Sequence, residues 1–126
     1  MKITAMVLIG ENEPYLEYCL DSINDIVDEI VVVTETKMRK EIGKLKIINS
    51  PLEPIVDFSK WRNMALKEAT GDWILYIDAD EVLAKPDGSP VHRKELEMLA
   101  KYADENNVNA FHIFTLHFLY NYKKHL

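Results

Sequence analysis

Two uninterrupted apolar runs, ITAMVLI (3–9) and EIVVVT (29–34), limit the folds open to this chain more than any other feature. A strand with one wet face alternates apolar and polar residues. A run that is apolar at nearly every position needs cover on both sides, as in a parallel sheet held between helices. The segment between the two runs supplies such cover. Leu16, Cys19, Leu20 and Ile23 recur at i, i+3, i+4 and i+7, the spacing of one buried helical stripe. Asn12 is the candidate cap of that helix, and Pro14 falls where a first-turn proline is tolerated.

The rest of the chain continues the alternation. KLKIIN (44–49) reads as a third, weaker strand, although only residues 35–43 separate it from the second. Parallel crossovers usually need about a dozen residues or more, so either a cramped helical turn fills the gap or the third strand pairs otherwise. The prolines of SPLEP enforce an extended loop. FSKWRNMALKEAT then places Trp61, Met64, Ala65 and Ala69 on one helical side, with Gly71 in the usual position past a helix C-terminus. DWILYI (72–77) is the fourth strand. Ser89 and Pro90 open another helix with Leu96, Leu99, Ala100 and Ala103 inward, and VNAFHIFTLHFLY (108–120) closes the chain as a long strand. The pattern predicts an α/β fold, a mostly parallel Rossmann-like sheet with helices on both faces, in one domain over residues 1–126. A hydrophobic fraction of 48% is enough for one such core.

Several function classes drop out. Fifteen basic against 21 acidic residues leave a net charge of -6 without long single-sign blocks, which argues against a nucleic-acid partner. The single cysteine, Cys19, excludes an internal disulfide and reads as core; His92, His112, His117 and His125 form no close-spaced ligand set. The N-terminal run is short and meets ENE rather than a small-residue cleavage site, and no segment reaches the roughly 18 apolar residues of a membrane span. A soluble cytoplasmic protein is the expectation. Neither GxGxxG nor GxxxxGK occurs, which argues against dinucleotide dehydrogenases and P-loop enzymes. A receiver domain would carry its acids behind the first and third strands rather than the fourth.

The chemistry gathers in GDWILYIDADEVL (71–83). Asp78 and Asp80 are two apart, so in extended backbone both carboxylates point one way while Ala79 faces the packing. Two carboxylates aimed at one point repel unless a cation lies between them, and Mg²⁺ or Mn²⁺ is commonly held by one or two acids plus waters and phosphate oxygens. The plainer alternative is that Asp80 or Glu81 caps a turn and Asp78 pairs with a basic residue. Arg62 and Asn63 lie in the first turns of the helix leading into the fourth strand, at the same sheet edge as the acids. Arg62 could hold a base or a phosphate through its fork of donors, or pair with Asp57 or Asp78.

With AMVLIGENEPYLEYCLDSI, VDEIVVV and FSKWRNMALKEATGDWILYIDADEVL in order between residues 5 and 83, the chain resembles the family 2 glycosyltransferases of the GT-A fold. The combination of an RN helix, an apolar strand and DADE is the most specific part. The resemblance implies a domain binding a nucleotide-diphosphate sugar, UDP- or GDP-linked, with Mn²⁺ or Mg²⁺ as cofactor and an unidentified acceptor. It implies that Ile9, Gly10, Glu11 and Asn12 lie against the base and that Arg62 sits near the base or diphosphate. Asp78 would touch the ribose or a metal-bound water, and Asp80 would ligate the metal.

Two departures shape these expectations. Family members usually carry an aspartate after the second strand that reads the base; Thr34 stands there, followed by Glu35. Inverting members need a general base well beyond the metal acids, and only residues 81–126 follow Asp80. Glu95, Glu97, Asp104 and Glu105 fall in or after a predicted surface helix, and none is assigned as that base. The alternatives to a transferase are a non-catalytic nucleotide-sugar-binding subunit or a truncated donor-binding half, and, more distantly, a nucleotidyltransferase. The aromatic tail FLYNYKKHL is an end strand or an interface in a homo-oligomer.

Overall fold

The computed structural model describes residues 1–10, 13–35, 44–50 and 57–113. Four strands form one sheet: β1 (Ile3–Ile9), β2 (Glu29–Thr34), β3 (Leu45–Asn49) and β4 (Trp73–Tyr76), in the order β3-β2-β1-β4. All three pairings are parallel. The predicted α/β architecture is the observed one, and the first two apolar runs are its central strands, buried at every position.

Three helices accompany the sheet: α1 (Leu16–Ile23), α2 (Phe58–Glu68) and α3 (Arg93–Asn106). Strand alternation divides the core into two layers. Ile3, Ala5, Val7 and Ile9 of β1 pack with Cys19, Leu20 and Ile23 of α1, with Leu96 of α3 against the same layer. Met6 and Leu8 point the other way, onto Trp61 and Ala65 of α2. Each fully buried Ile, Val or Leu in these layers contributes about 1.5–3 kcal/mol of transfer free energy, which is why unbroken apolar runs occupy the middle of the sheet.

The third strand settles one open alternative. β3 pairs with β2 in parallel, with Thr34 level with Asn49, so the short connection does return the chain in the same direction. β3 is only partly buried, as its mixed sequence predicts for a sheet edge.

Several expectations at element ends are corrected. α1 begins after Pro14: Tyr15 is its N-cap without a side-chain cap bond, and Asn12 lies outside the described residues. Gly71 is no left-handed helix terminus, since α2 ends on an extended Ala69. The glycine answers a close approach instead, because a Cβ there would come within 2.6 Å of the Thr4 backbone nitrogen and of its Oγ1. α3 starts at Arg93 rather than after Ser89; Pro90 belongs to the preceding loop, and Glu95 accepts the His92 N–H at 3.3 Å. Ala100 and Ala103 are buried as predicted, but Leu99 is 43% exposed. Residues 108–113 form no strand, and residues 114–126, with His117, His125 and the whole aromatic tail, lie outside the described residues.

At the amino ends of the strands, Glu29 ties four segments together. Its carboxylate accepts from Thr4 Oγ1 (2.9 Å), Thr70 N–H (2.9 Å) and Thr70 Oγ1 (3.1 Å), and pairs with Lys46 Nζ at 2.8 Å. Burial pushes this carboxyl up, but the bonds from Lys46, Thr70 and Thr4 outweigh it and hold the pKa down to about 2. The network fixes the turn that launches β4, and with it the position of the acids that follow.

Candidate functional site

The carboxyl ends of parallel strands are where open α/β sheets hold ligands. Here the register sets those ends side by side. Ile9 is level with Thr34, and Met6 with Tyr76; Ile77 N–H extends the β1–β4 pairing by donating to Met6 O at 3.2 Å. Asp78 therefore stands beside the last residues of β1. β3 ends at the same edge, and α2 starts there after the 51–56 connection, bringing Arg62 with it.

The acids occupy a pinned turn. β4 ends at Tyr76, and the backbone then closes on itself: Glu81 N–H donates to Asp78 O at 2.9 Å while Asp78 N–H donates to Glu81 Oε1 at 2.9 Å. Turn geometry replaces the extended backbone that the sequence predicts through Asp80, yet Ala79 is packed into the core and both aspartates are exposed. Helix α1 holds the turn from below. Cys19 Sγ donates to Asp78 O at 3.4 Å, and Ser22 Oγ accepts from Leu83 N–H at 3.1 Å.

Like charges crowd this turn, and the Tyr76 hydroxyl and the Arg62 charge relieve them only in part. The Asp78 carboxyl is raised above its ordinary range by partial burial and by the charge of Glu81, with Asp80 adding to the effect. Cys19 feels the same field: burial, then Glu81, Asp78 and Asp80, push its thiol up to about 12. Arg62 forms no ion pair with Asp78 or Asp57 within 4.0 Å; Asp57 instead caps α2 by accepting Lys60 N–H at 3.1 Å. Asp80 has no hydrogen bond or ion pair among the described residues. Nor do three His, Cys, Asp or Glu groups converge into a closed cage among the described residues. Two open carboxylates at a solvent-facing rim suit a hard divalent cation that keeps most of its waters, which is how Mg²⁺ and Mn²⁺ are commonly bound.

The other sequence candidates divide by burial. Ile9 and Thr34 are 4% and 0% exposed, so neither side chain has surface to offer a ligand. Gly10 and Glu35, one residue beyond each strand, are half-buried and reach the rim. Packing does not require the glycine, since a Cβ at position 10 would meet only Glu13 Oε1, at 3.7 Å. Among the described residues, Glu35 Oε1 is buried without a hydrogen-bond partner. Glu11 and Asn12 lie outside the described residues. Trp61, read as packing, is 1% exposed and donates from Nε1 to Ser50 Oγ at 3.1 Å.

Sequence reasoning missed Tyr76, whose ring lies 5.6 Å from the Arg62 guanidinium carbon. Strand alternation carried the signal, because Tyr76 sits two residues before Asp78 on the same outward row as Ile74. The α3 acids are elsewhere. Glu95 pairs with Lys85 at 2.9 Å and Glu97 with Arg93 at 3.1 Å. Glu97 and Asp104 line a cleft with Met1, Asp72 and Trp73, at the amino edge of the sheet, opposite the rim.

Known proteins share this framework. A TPR repeat-containing protein of Synechococcus elongatus is 34% identical over 88 residues, 65% of this chain and 21% of that protein. The SPbeta prophage-derived glycosyltransferase SunS of Bacillus subtilis is 27% identical over 90 residues, 66% of this chain and 21% of SunS. The crystal structure of S. aureus TarS 1-349 superposes with a TM-score of 0.58 at 24% identity, covering 91% of this chain and 39% of TarS 1-349. The chain thus spans about a fifth of the length of these curated relatives. No helix among the described residues is long and apolar enough to cross a membrane. The family model for glycosyl transferase family 2 matches residues 5–124, nearly the whole sequence, and the chain belongs to that family.

Proposed function

We propose that this chain binds the nucleotide-diphosphate sugar of a metal-dependent glycosyl transfer, with Asp78 and Asp80 as the cation's protein ligands. The observation that carries the reading is the pair of exposed aspartates, Asp78 and Asp80, on a turn at the carboxyl edge of a parallel sheet, inside the matched region and without an ion pair to Arg62. A bound Mg²⁺ or Mn²⁺ would supply positive charge to the diphosphate leaving group. The chain's own residues do the rest. Asp78 and Asp80 present hard oxygen ligands, and Arg62, near the start of α2, offers its guanidinium to a phosphate or base. Gly10 leaves room for a flat base between the ends of β1 and β2. Glu35, half-buried at the rim, is better placed than the enclosed Thr34 to accept from a base N–H there.

The α3 carboxylates favour a second reading. Glu95, Glu97 and Glu105 stand in ion pairs with Lys85, Arg93 and Lys101, and Glu97 and Asp104 line the cleft at the opposite edge, so α3 supports no base for an acceptor hydroxyl at the rim. In this reading the described part binds donor and leaves turnover to residues outside it.

Calorimetric titration of UDP, GDP, ADP and CDP in Mn²⁺, repeated in chelator, tests the proposal. UDP or GDP is expected to bind at least about tenfold more tightly with Mn²⁺ than in chelator. Equal affinity in both buffers, or no binding, would contradict it. With a UDP- or GDP-sugar supplied instead, transfer of its sugar onto an added acceptor, with the nucleoside diphosphate released, would decide between transfer and donor binding alone.

A further inference from the structure

We infer that Tyr76 is a positioning residue that keeps Arg62 and Asp78 apart, so that the rim does not neutralise itself.

Arg62 is near enough for its charge to act on Asp78, yet no ion pair within 4.0 Å joins them. The tyrosine between them accounts for this. Arg62 Cζ lies 5.6 Å from the Tyr76 ring centroid, a cation–π distance that commits the guanidinium to the ring. Tyr76 and Asp78 follow one another on the exposed row of β4 and its extension, with Leu75, Ile77 and Ala79 buried between and beyond them. The phenol hydroxyl meets both charged groups: it is raised by partial burial, eased back by Arg62 and raised again by Asp78. The groups facing Asp78 are thus Glu81, Asp80, Arg62 and Tyr76, with Cys19 on its carbonyl. The ring holds the guanidinium and the hydroxyl faces the carboxylate, so neither charge is spent on the other and both remain exposed at the rim.

The functional consequence rests on the proposed cation site, but the spacing does not. A double-mutant cycle between Arg62→Gln and Asp78→Asn, read by urea unfolding, measures it directly. The cycle is run with Tyr76 intact, with Tyr76→Phe, which keeps the ring, and with Tyr76→Ala. With Tyr or Phe at position 76, the two changes in unfolding constant are expected to multiply within about twofold, as uncoupled sites do. In the Tyr76→Ala background the freed pair is expected to couple by about threefold or more. Equal coupling in all three backgrounds, or none with alanine, would overturn the inference.

Binding of Mn²⁺ alone gives a second readout. Tyr76→Ala is expected to weaken it about tenfold, and adding Arg62→Gln to restore it. Failure of the unmutated chain to bind Mn²⁺ would refute the cation site, while the unfolding cycle would still decide the role of Tyr76.

Discussion

Asp78 is where stability and the proposed chemistry oppose each other. Its carboxyl is raised by burial and by Glu81, so the unliganded fold bears a charge it would be steadier without. Because Asp78 is largely exposed, the effect is small: Asp78→Asn is expected to raise Tm by about 1–3 °C while weakening Mn²⁺-dependent nucleotide binding. Calorimetric scanning and titration of the same sample check both signs. Cys19 reports on the same field from the core side. A thiol pushed up to about 12 carries almost no thiolate at pH 8, so native Cys19 is expected to alkylate at least about 100-fold more slowly than in urea. Alkylation by iodoacetamide, followed by mass spectrometry, measures it. At this scale the sequence spoke unevenly. Asp78, Asp80 and Arg62 were legible through residue type and spacing. Tyr76 was legible only as an outward-facing strand residue, because what lies over its ring is set by the neighbouring helix.

Among the elements, the start of β4 is the most constrained joint, since it fixes the register of the acidic turn. Glu29 holds it with a carboxyl near pKa 2 against an ordinary 4.5. A depressed carboxyl stabilises the fold above the unfolded value. The Glu29 contribution, roughly 3 kcal/mol, is therefore complete above about pH 4.5 and lost as pH falls toward 2. Glu29→Gln is expected to cost about 2–3 kcal/mol in urea unfolding at pH 7 and to flatten that acid limb. Gly71→Ala, which drives a Cβ to 2.6 Å from the Thr4 backbone, is expected to cost about 2 kcal/mol or more in the same assay. Buried strands and helical stripes were readable because burial repeats with the period of the element. Helix starts were not. Pro14 and Pro90 satisfy a first helical turn and a preceding loop equally well, and tertiary packing chose the loop. The Glu29 network was also hidden, since its partners lie on β1, β3 and the α2–β4 link, far apart in sequence.

For the molecule as a whole, parallel pairing is what turns scattered residues into one rim. β1, β2 and β4 run the same way, so Gly10, Glu35 and Asp78, distant in sequence, emerge at one edge, and α2 starts there with Arg62. That convergence was legible as soon as the alternation of strands and helices was read. The closing strand predicted at 108–120 was less so: residues 108–113 are irregular, with the Phe111 ring tilted against Trp73 at 6.1 Å between centroids. Apolar periodicity marks a segment that will be covered, without saying by which neighbour. The central claim is that Asp78 and Asp80 bind a divalent cation jointly with a nucleoside diphosphate. Electron paramagnetic resonance of free Mn²⁺, titrated with this chain in the presence of UDP or GDP, tests it most directly. The free-ion signal is expected to fall with one Mn²⁺ bound per chain, and Asp80→Ala to leave it about as strong as nucleotide alone does. A signal unchanged by the chain, or lost equally with Asp80→Ala, would contradict the account.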